Sequence, residues 1–134
     1  DMDTANILLG YTFFFSGMVV EGNKLGRTIG YPTANLQVTD AYKLLPADGV
    51  YAVDAIVDDE PENRLKAMMN IGYRPTVDGT KKVIEVNIFN FNRTIYGKNL
   101  RVFVKRFLRG EQRFSGLEEL KAQLGEDRQA AELY

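Results

Sequence analysis

Behind Pro32, Thr33 and Asn35 stand two residues apart, a spacing that in an extended segment puts a hydroxyl and an amide oxygen on one side. Two neutral oxygens side by side can complete the shell of a hard cation that already holds phosphate oxygens and water. The residues leading to them, Gly26-Arg27-Thr28-Ile29-Gly30-Tyr31-Pro32, hold a loop in place. Gly26 and Gly30 allow a tight turn and a close approach to a ligand, while Pro32 fixes its own φ and pushes Tyr31 toward an extended conformation. The decapeptide reads as a loop over phosphates followed by a metal shelf. It is not a Walker A motif, because it lacks the Gly-Lys-Ser/Thr ending and leads into an extended segment instead of a helix. An ordinary turn, with Thr33 and Asn35 serving only local structure, is the competing reading.

A second candidate is Glu85. Alternation along Val83 to Phe91 places Glu85 and Asn87 on the face that also carries Val83, Phe89 and Phe91. A carboxylate among apolar neighbours stands at a barrel mouth or near its rim, and partial desolvation at a mouth would raise its proton affinity toward that of a general base. The composition narrows the choice of base, since the chain has no histidine and no cysteine. Disulfides, zinc sites built on thiolate or imidazole, and imidazole catalysis are thereby excluded.

The elements that must position these groups fit one domain. A chain of 134 residues with 45% hydrophobic content can bury one sizeable core. The most apolar stretch, Ile7 to Val20, is interrupted by Gly10, Thr12, Ser16 and Gly17, so it is not a membrane span. The acidic Asp1-Met2-Asp3 does not open a signal peptide, and a cytoplasmic location is expected. The net charge of −1 argues against broad nucleic-acid binding. The charge is uneven, however: Asp40 to Glu62 is acidic, while Lys81 to Arg113 is basic, which suits an anionic ligand of limited size or simply a solvated outer face.

Tyr11 to Glu21, Thr33 to Val38, Gly49 to Val57, Arg64 to Ile71, Val83 to Phe91 and Asn99 to Leu108 read as strands, with Gly17 marking a bulge or close backbone approach. On Gly49 to Val57 the better core face is Tyr51, Val53, Ala55 and Val57. Asp3 to Leu9 is compatible with a short helix. Ser115-x-x-Glu118 ahead of Leu117, Leu120 and Leu124 predicts a capping box and an amphipathic helix, with a second helical piece from Glu126 to Leu133. The fold class that follows is mainly β: a six-stranded closed antiparallel, Greek-key-like barrel with a C-terminal helix and a short N-terminal helix.

The decapeptide, taken with Gly22 and Glu85, resembles the Gly-x-Pro-Thr-Ala-Asn signature of riboflavin kinases. From about Ala5 onward the chain is similar to the C-terminal kinase domain of the bacterial bifunctional riboflavin kinase and FAD synthetase. Asn70-Ile71-Gly72-Tyr73-Arg74-Pro75-Thr76 also looks like a segment of that family, although a strand end followed by a proline-directed turn accounts for it structurally. The resemblance implies transfer of the γ-phosphoryl of ATP to the terminal ribityl hydroxyl of riboflavin, giving FMN and ADP. It implies ATP binding by Gly22, Lys24, Arg27, Gly30, Thr33 and Asn35, Mg²⁺ held by Thr33 and Asn35, and Glu85 as the base. Flavin binding falls to Arg109, Glu111 and Phe114, within a run that matches the family's Leu-Arg-x-Glu-x-x-Phe. Residues 1–10 would be the remnant of an interdomain linker and 11–134 the kinase domain, with a linked N-terminal adenylyltransferase domain missing. The chain departs from the family pattern at Asn87, where histidine is usual, and at Asn90, where aspartate is frequent.

Two other functions compete with this one. A barrel that binds flavin or nucleotide without chemistry would not depend on Glu85. An oligonucleotide-binding barrel would use the basic strands, but no aromatic ladder interleaved with the basic residues is visible in the sequence.

Overall fold

Runs rich in β-branched and aromatic residues become the walls of a barrel in the computed structural model, which describes residues 14–20, 33–38, 46–91 and 94–134. The strands are β1 (Phe14–Val20), β2 (Ala34–Gln37), β3 (Gly49–Val57), β4 (Leu65–Thr76), β5 (Gly79–Ile88) and β6 (Asn99–Arg109). They close in the order β1-β2-β5-β4-β3-β6, with every neighbouring pair antiparallel. β3, β4 and β5 form a meander, and β2 lies beside β5, which is the Greek-key arrangement. The short helix expected over Asp3 to Leu9 lies outside the described residues, as do Gly22, Lys24, Arg27 and Gly30.

Alternation decides which side chains fill the barrel. Val19, Leu36, Val53, Met69, Val86 and Val102 point inward with their same-parity neighbours and are buried together. Tyr51, Val53, Ala55 and Val57 are all in this core, as the sequence predicts. Gly17 is a close approach and not a bulge, because the β1–β2 and β1–β6 registers run without a break. A Cβ there would stand 3.0 Å from both the Gln37 carbonyl oxygen and a Val38 methyl.

Two strands are longer than the sequence suggests. β4 continues past Ile71 to Thr76, and β5 begins at Gly79, so the proline-directed turn expected after Asn70 is a hairpin that extends beyond the rest of the sheet. β3 pairs with β4 only as far as Ile71, so among the described residues the later part of β4 has one partner strand, and its other edge tolerates a missing N–H. β5 ends at Ile88 and not at Phe91, because Asn90 adopts a φ of 56° and turns the chain.

Among the described residues one helix, α1 (Leu117–Glu132), lies outside the barrel against β3, β4 and β6. It runs unbroken through Gly125, so the separate helical piece expected from Glu126 does not exist. Its cap also differs from expectation. Gly116 is the N-cap without a side-chain bond, and Glu119, not Glu118, accepts a hydrogen bond from the Ser115 N–H at 3.1 Å. Bonds from Ser115 hold the Glu119 carboxyl below its ordinary range. Leu117 is exposed, and the helix buries Ala131 instead, against Ala52, Met68 and Phe89 with Leu108 and Leu124 alongside. β3 is therefore buried on both faces, by the core within and the helix without.

Candidate active site

The register across the sheet brings one row of outward-facing residues together. Asn35 on β2 is the direct partner of Glu85 on β5, and Glu85 is the direct partner of Asn70 on β4. Asn70 pairs with Val50 on β3, and Val50 with Arg109 on β6. Directly opposed residues of antiparallel strands share a face, with Cβ atoms about 4.5–5.5 Å apart. The sequence reading put Glu85 at a barrel mouth or rim. It stands instead on the outer wall, because Ile84 and Val86 on either side of it point into the core.

Within this row the carboxylate of Glu85 is bracketed by two amides. Glu85 is half-buried and engaged within the fold. Asn35 Oδ1 and Asn70 Oδ1 are both withdrawn from solvent and have no hydrogen-bond partner among the described residues. A buried acceptor left without a donor costs about 1–3 kcal/mol, so two of them beside one carboxylate are open to a donor from beyond the described residues, a ligand among them. Thr33, half-buried, precedes β2 by one residue and stands two before Asn35. An orphaned amide oxygen next to a hydroxyl-bearing residue fits a hard cation. No group of three or more carboxylate, imidazole or thiolate side chains gathers among the described residues, so a cation here would take most of its shell from phosphate and water.

At the other end of the row stands Arg109. Its Nε and Nη2 donate to the two oxygens of Asp127 on α1 at 2.9 and 2.8 Å, and its guanidinium lies 5.8 Å from the ring centre of Phe114. Gln123 also donates to Asp127, at 3.0 Å. Asp127, only 3% exposed, therefore fixes the arginine against the helix. Phe114 is half-buried and Glu111 exposed, both in the segment that joins β6 to α1. Arg109 thus stands on the same outer wall as Asn35 and Glu85, with Phe114 against its guanidinium. Sequence reading missed Asp127, whose partner becomes visible only once the helix is folded back. It gave Asn70 no role beyond a strand end, though an amide after Ala67-Met68-Met69 was the available signal.

The two departures from the family pattern have structural settings. Asn87, on the same face as Glu85, is 6% exposed and engaged within the fold. Asn90 accepts a hydrogen bond from Arg128 Nη2 at 3.0 Å, and its positive φ suits asparagine or aspartate alike.

The basic residues are largely committed elsewhere. Lys98 pairs with Asp59, Lys82 with Asp48, and Lys105 with Asp54. Contrary to the sequence reading, aromatic and basic groups do interleave. Arg101 lies over Phe14, Phe14 stacks at 5.5 Å on Phe103, and Arg64 lies 4.3 Å over Phe103. This ladder is on the β1–β6 wall, and its last rung, Arg64, also donates to Asp54 at 2.7 Å.

The family model described as riboflavin kinase matches residues 9–134. The chain is 42% identical to a bifunctional riboflavin kinase/FMN adenylyltransferase of Bacillus subtilis, covering 100% of this chain and 42% of that protein. It is 43% identical to the protein of the same name from Escherichia coli K12, covering 92% of this chain and 38% of the relative. The chain thus spans about two-fifths of these relatives. Among solved structures, one from Streptococcus pneumoniae, named a macrolide-efflux protein, superposes with a TM-score of 0.89 at 40% identity, over 99% of this chain and 42% of that one. No described helix here is long and apolar enough to cross a membrane. A riboflavin kinase from Trypanosoma brucei, 19% identical, shares the fold with a TM-score of 0.60 over 89% of this chain and 76% of that one.

Proposed function

The chain belongs to the riboflavin kinase family, and from that premise we propose that it transfers the γ-phosphoryl group of ATP to the terminal ribityl hydroxyl of riboflavin, giving FMN and ADP. The observation that carries the reading is the pairing of Asn35 with Glu85 across β2 and β5. It supports a cation and phosphate shelf beside a carboxylate, which phosphoryl transfer to an alcohol requires.

Each residue has a role in this account. Glu85 accepts the proton of the ribityl hydroxyl as the oxygen attacks the γ-phosphorus. Thr33 and Asn35 would hold Mg²⁺, which would neutralise charge on the phosphate oxygens. Gly22, Lys24, Arg27 and Gly30, which lie outside the described residues, would supply backbone N–H groups and positive charge to the phosphates. Phe114 and Glu111 border the flavin ring, and Arg109 orders Phe114 beneath its own guanidinium. The relatives carry two named activities, and this chain, as residues 11–134 with a linker remnant before them, supplies the kinase half of such a protein in the cytoplasm.

The test is direct. Incubation with riboflavin, ATP and Mg²⁺, followed by chromatography, gives FMN if the reading is right. No FMN across varied metals and flavin redox states overturns it, leaving a barrel that binds flavin or nucleotide without chemistry.

A further inference from the structure

Asn70 is the member of the outward row to which the phosphotransfer account gives no work. It stands beside Glu85 on the side away from Asn35, and its Oδ1 is buried without a donor among the described residues. Packing alone does not call for an amide there. The outward neighbours of Asn70 on its own strand and the next are Met68 and Val50, both apolar and buried.

The order of residues along the row indicates the missing donor. Asn35, whose partner on its other side is the apolar Val20 of β1, is the last polar residue on the cation and phosphate side, Glu85 comes next as the base, and Arg109 beside Phe114 ends the row on the ring side. Asn70 and Val50 lie between the base and the ring end. With strands about 4.8 Å apart, Glu85 and Arg109 are separated by about 14 Å across the wall. A substrate whose reacting hydroxyl lies at Glu85 and whose ring lies near Phe114 must pass its polyol chain over Asn70. That chain carries secondary hydroxyls, each a donor. An asparagine turns easily about its terminal torsion, so the half-buried amide can present its oxygen to a group lying along the wall.

We propose that Asn70 is a specificity-determining residue that accepts a hydrogen bond from the secondary hydroxyl adjacent to the one phosphorylated. The proposal rests on the kinase reading above. It adds a chemical class, a polyol with a hydroxyl next to its terminal carbon, that neither Glu85 nor the cation shelf selects. Asn70 takes no proton and forms no bond to phosphorus. It holds the chain so that the terminal oxygen meets Glu85.

The experiment is a cycle between residue and substrate. FMN formation, or its deoxy counterpart, is measured for the unaltered chain and for Asn70→Ala with riboflavin and with 4′-deoxyriboflavin. The unaltered chain is expected to favour riboflavin by roughly tenfold in kcat/KM, the effect of one neutral hydrogen bond whose loss leaves a buried acceptor unpaired. In Asn70→Ala that preference disappears, with riboflavin falling to the level of the analogue and the analogue's own value unchanged. Equal proportional losses on both substrates would mean that Asn70 only shapes the sheet, and would overturn the proposal. If Asn70→Ala does not fold, Asn70→Ser takes its place. If that also unfolds, equal kcat/KM of the unaltered chain for the two substrates is the overturning result, and the tenfold preference the supporting one. Absence of product from either substrate with the unaltered chain is a different outcome, because it removes the kinase reading itself.

Discussion

Arg109 closes its guanidinium on both oxygens of Asp127, which ties the last residue of β6 to the middle of α1. With side-chain exposures of 19% and 4%, the pair is mostly desolvated, and removing one partner leaves a charge in the wall without compensation. Asp127→Ala should therefore destabilise the domain by about 3 kcal/mol, far more than the surface pair Lys98–Asp59. Urea denaturation of the two variants makes the comparison. A loss no larger than that of Asp59→Ala would mean that the helix is held by Ala131 and its apolar neighbours alone.

Glu85→Gln keeps the shape of the side chain and removes its basicity. Turnover should fall by about 100-fold or more, the range of a lost general base, while riboflavin affinity, read from flavin fluorescence, stays close to that of the unaltered chain. Retained turnover would leave Glu85 a positioning group at most.

Asn35→Ala separates function from stability. The substitution deletes a buried oxygen that has no donor among the described residues, so stability should hold or rise by about 1 kcal/mol. The Mg²⁺ concentration needed for half-maximal rate should rise at the same time. A drop in stability with an unchanged metal requirement would show that the amide serves the sheet.

Much of this arrangement could be read before folding, and the failures have physical causes. The core face of β3 followed from strict alternation between Tyr51 and Val57. The link between Asn35 and Glu85 came from resemblance, and the register that makes them neighbours depends on β2 pairing with β5, a contact that no local pattern encodes. Alternation misleads on β6, where register shifts near Arg106 and Phe107 break the period. Counted from the inward Val104, Phe107 would face out, but it pairs with Tyr51 and meets its ring edge-on at 5.3 Å. The aromatic ladder was hidden for a related reason, since Phe14 and Phe103 belong to strands at opposite ends of the sequence. Leu117, the first leucine of the expected stripe, stands exposed at the first turn of α1, and the helix packs on the barrel further along, through Leu124 and Ala131.

Tyr51 makes the core sensitive to alkali. Its hydroxyl donates to the Ala47 carbonyl at 2.5 Å, and burial, then the charge of Asp48, raises its pKa above the ordinary 10.0. The folded value exceeds the unfolded one, so the contribution is complete below pH 10 and is lost as pH rises through the folded pKa. Tyr51→Phe should be about 1 kcal/mol less stable at neutral pH, having lost one hydrogen bond. The difference should shrink as pH climbs past 10, because only the unaltered chain has a buried phenol to ionise. A difference between the two denaturation midpoints that stays constant through this range would show that Tyr51 titrates alike in both states.

Gly49 connects stability to the ring end of the row. Its φ of 150° lies where side chains are strained, and a Cβ built there would stand 2.6 Å from a Phe107 ring carbon and 2.8 Å from the Arg109 carbonyl oxygen. The ring could turn aside, but the carbonyl is backbone, so Gly49→Ala must push the end of β6 outward. That movement carries Arg109 away from Asp127 and Phe114 with it, on top of a backbone strain of about 1–3 kcal/mol. The variant should lose stability and, if Arg109 and Phe114 border the flavin, should raise KM for riboflavin more than KM for ATP, because Asn35, proposed to serve the phosphates, lies toward the other end of the wall. Steady-state kinetics with each substrate varied in turn decides it. Equal increases in both constants would mean that the whole sheet, and not its β6 end, has shifted.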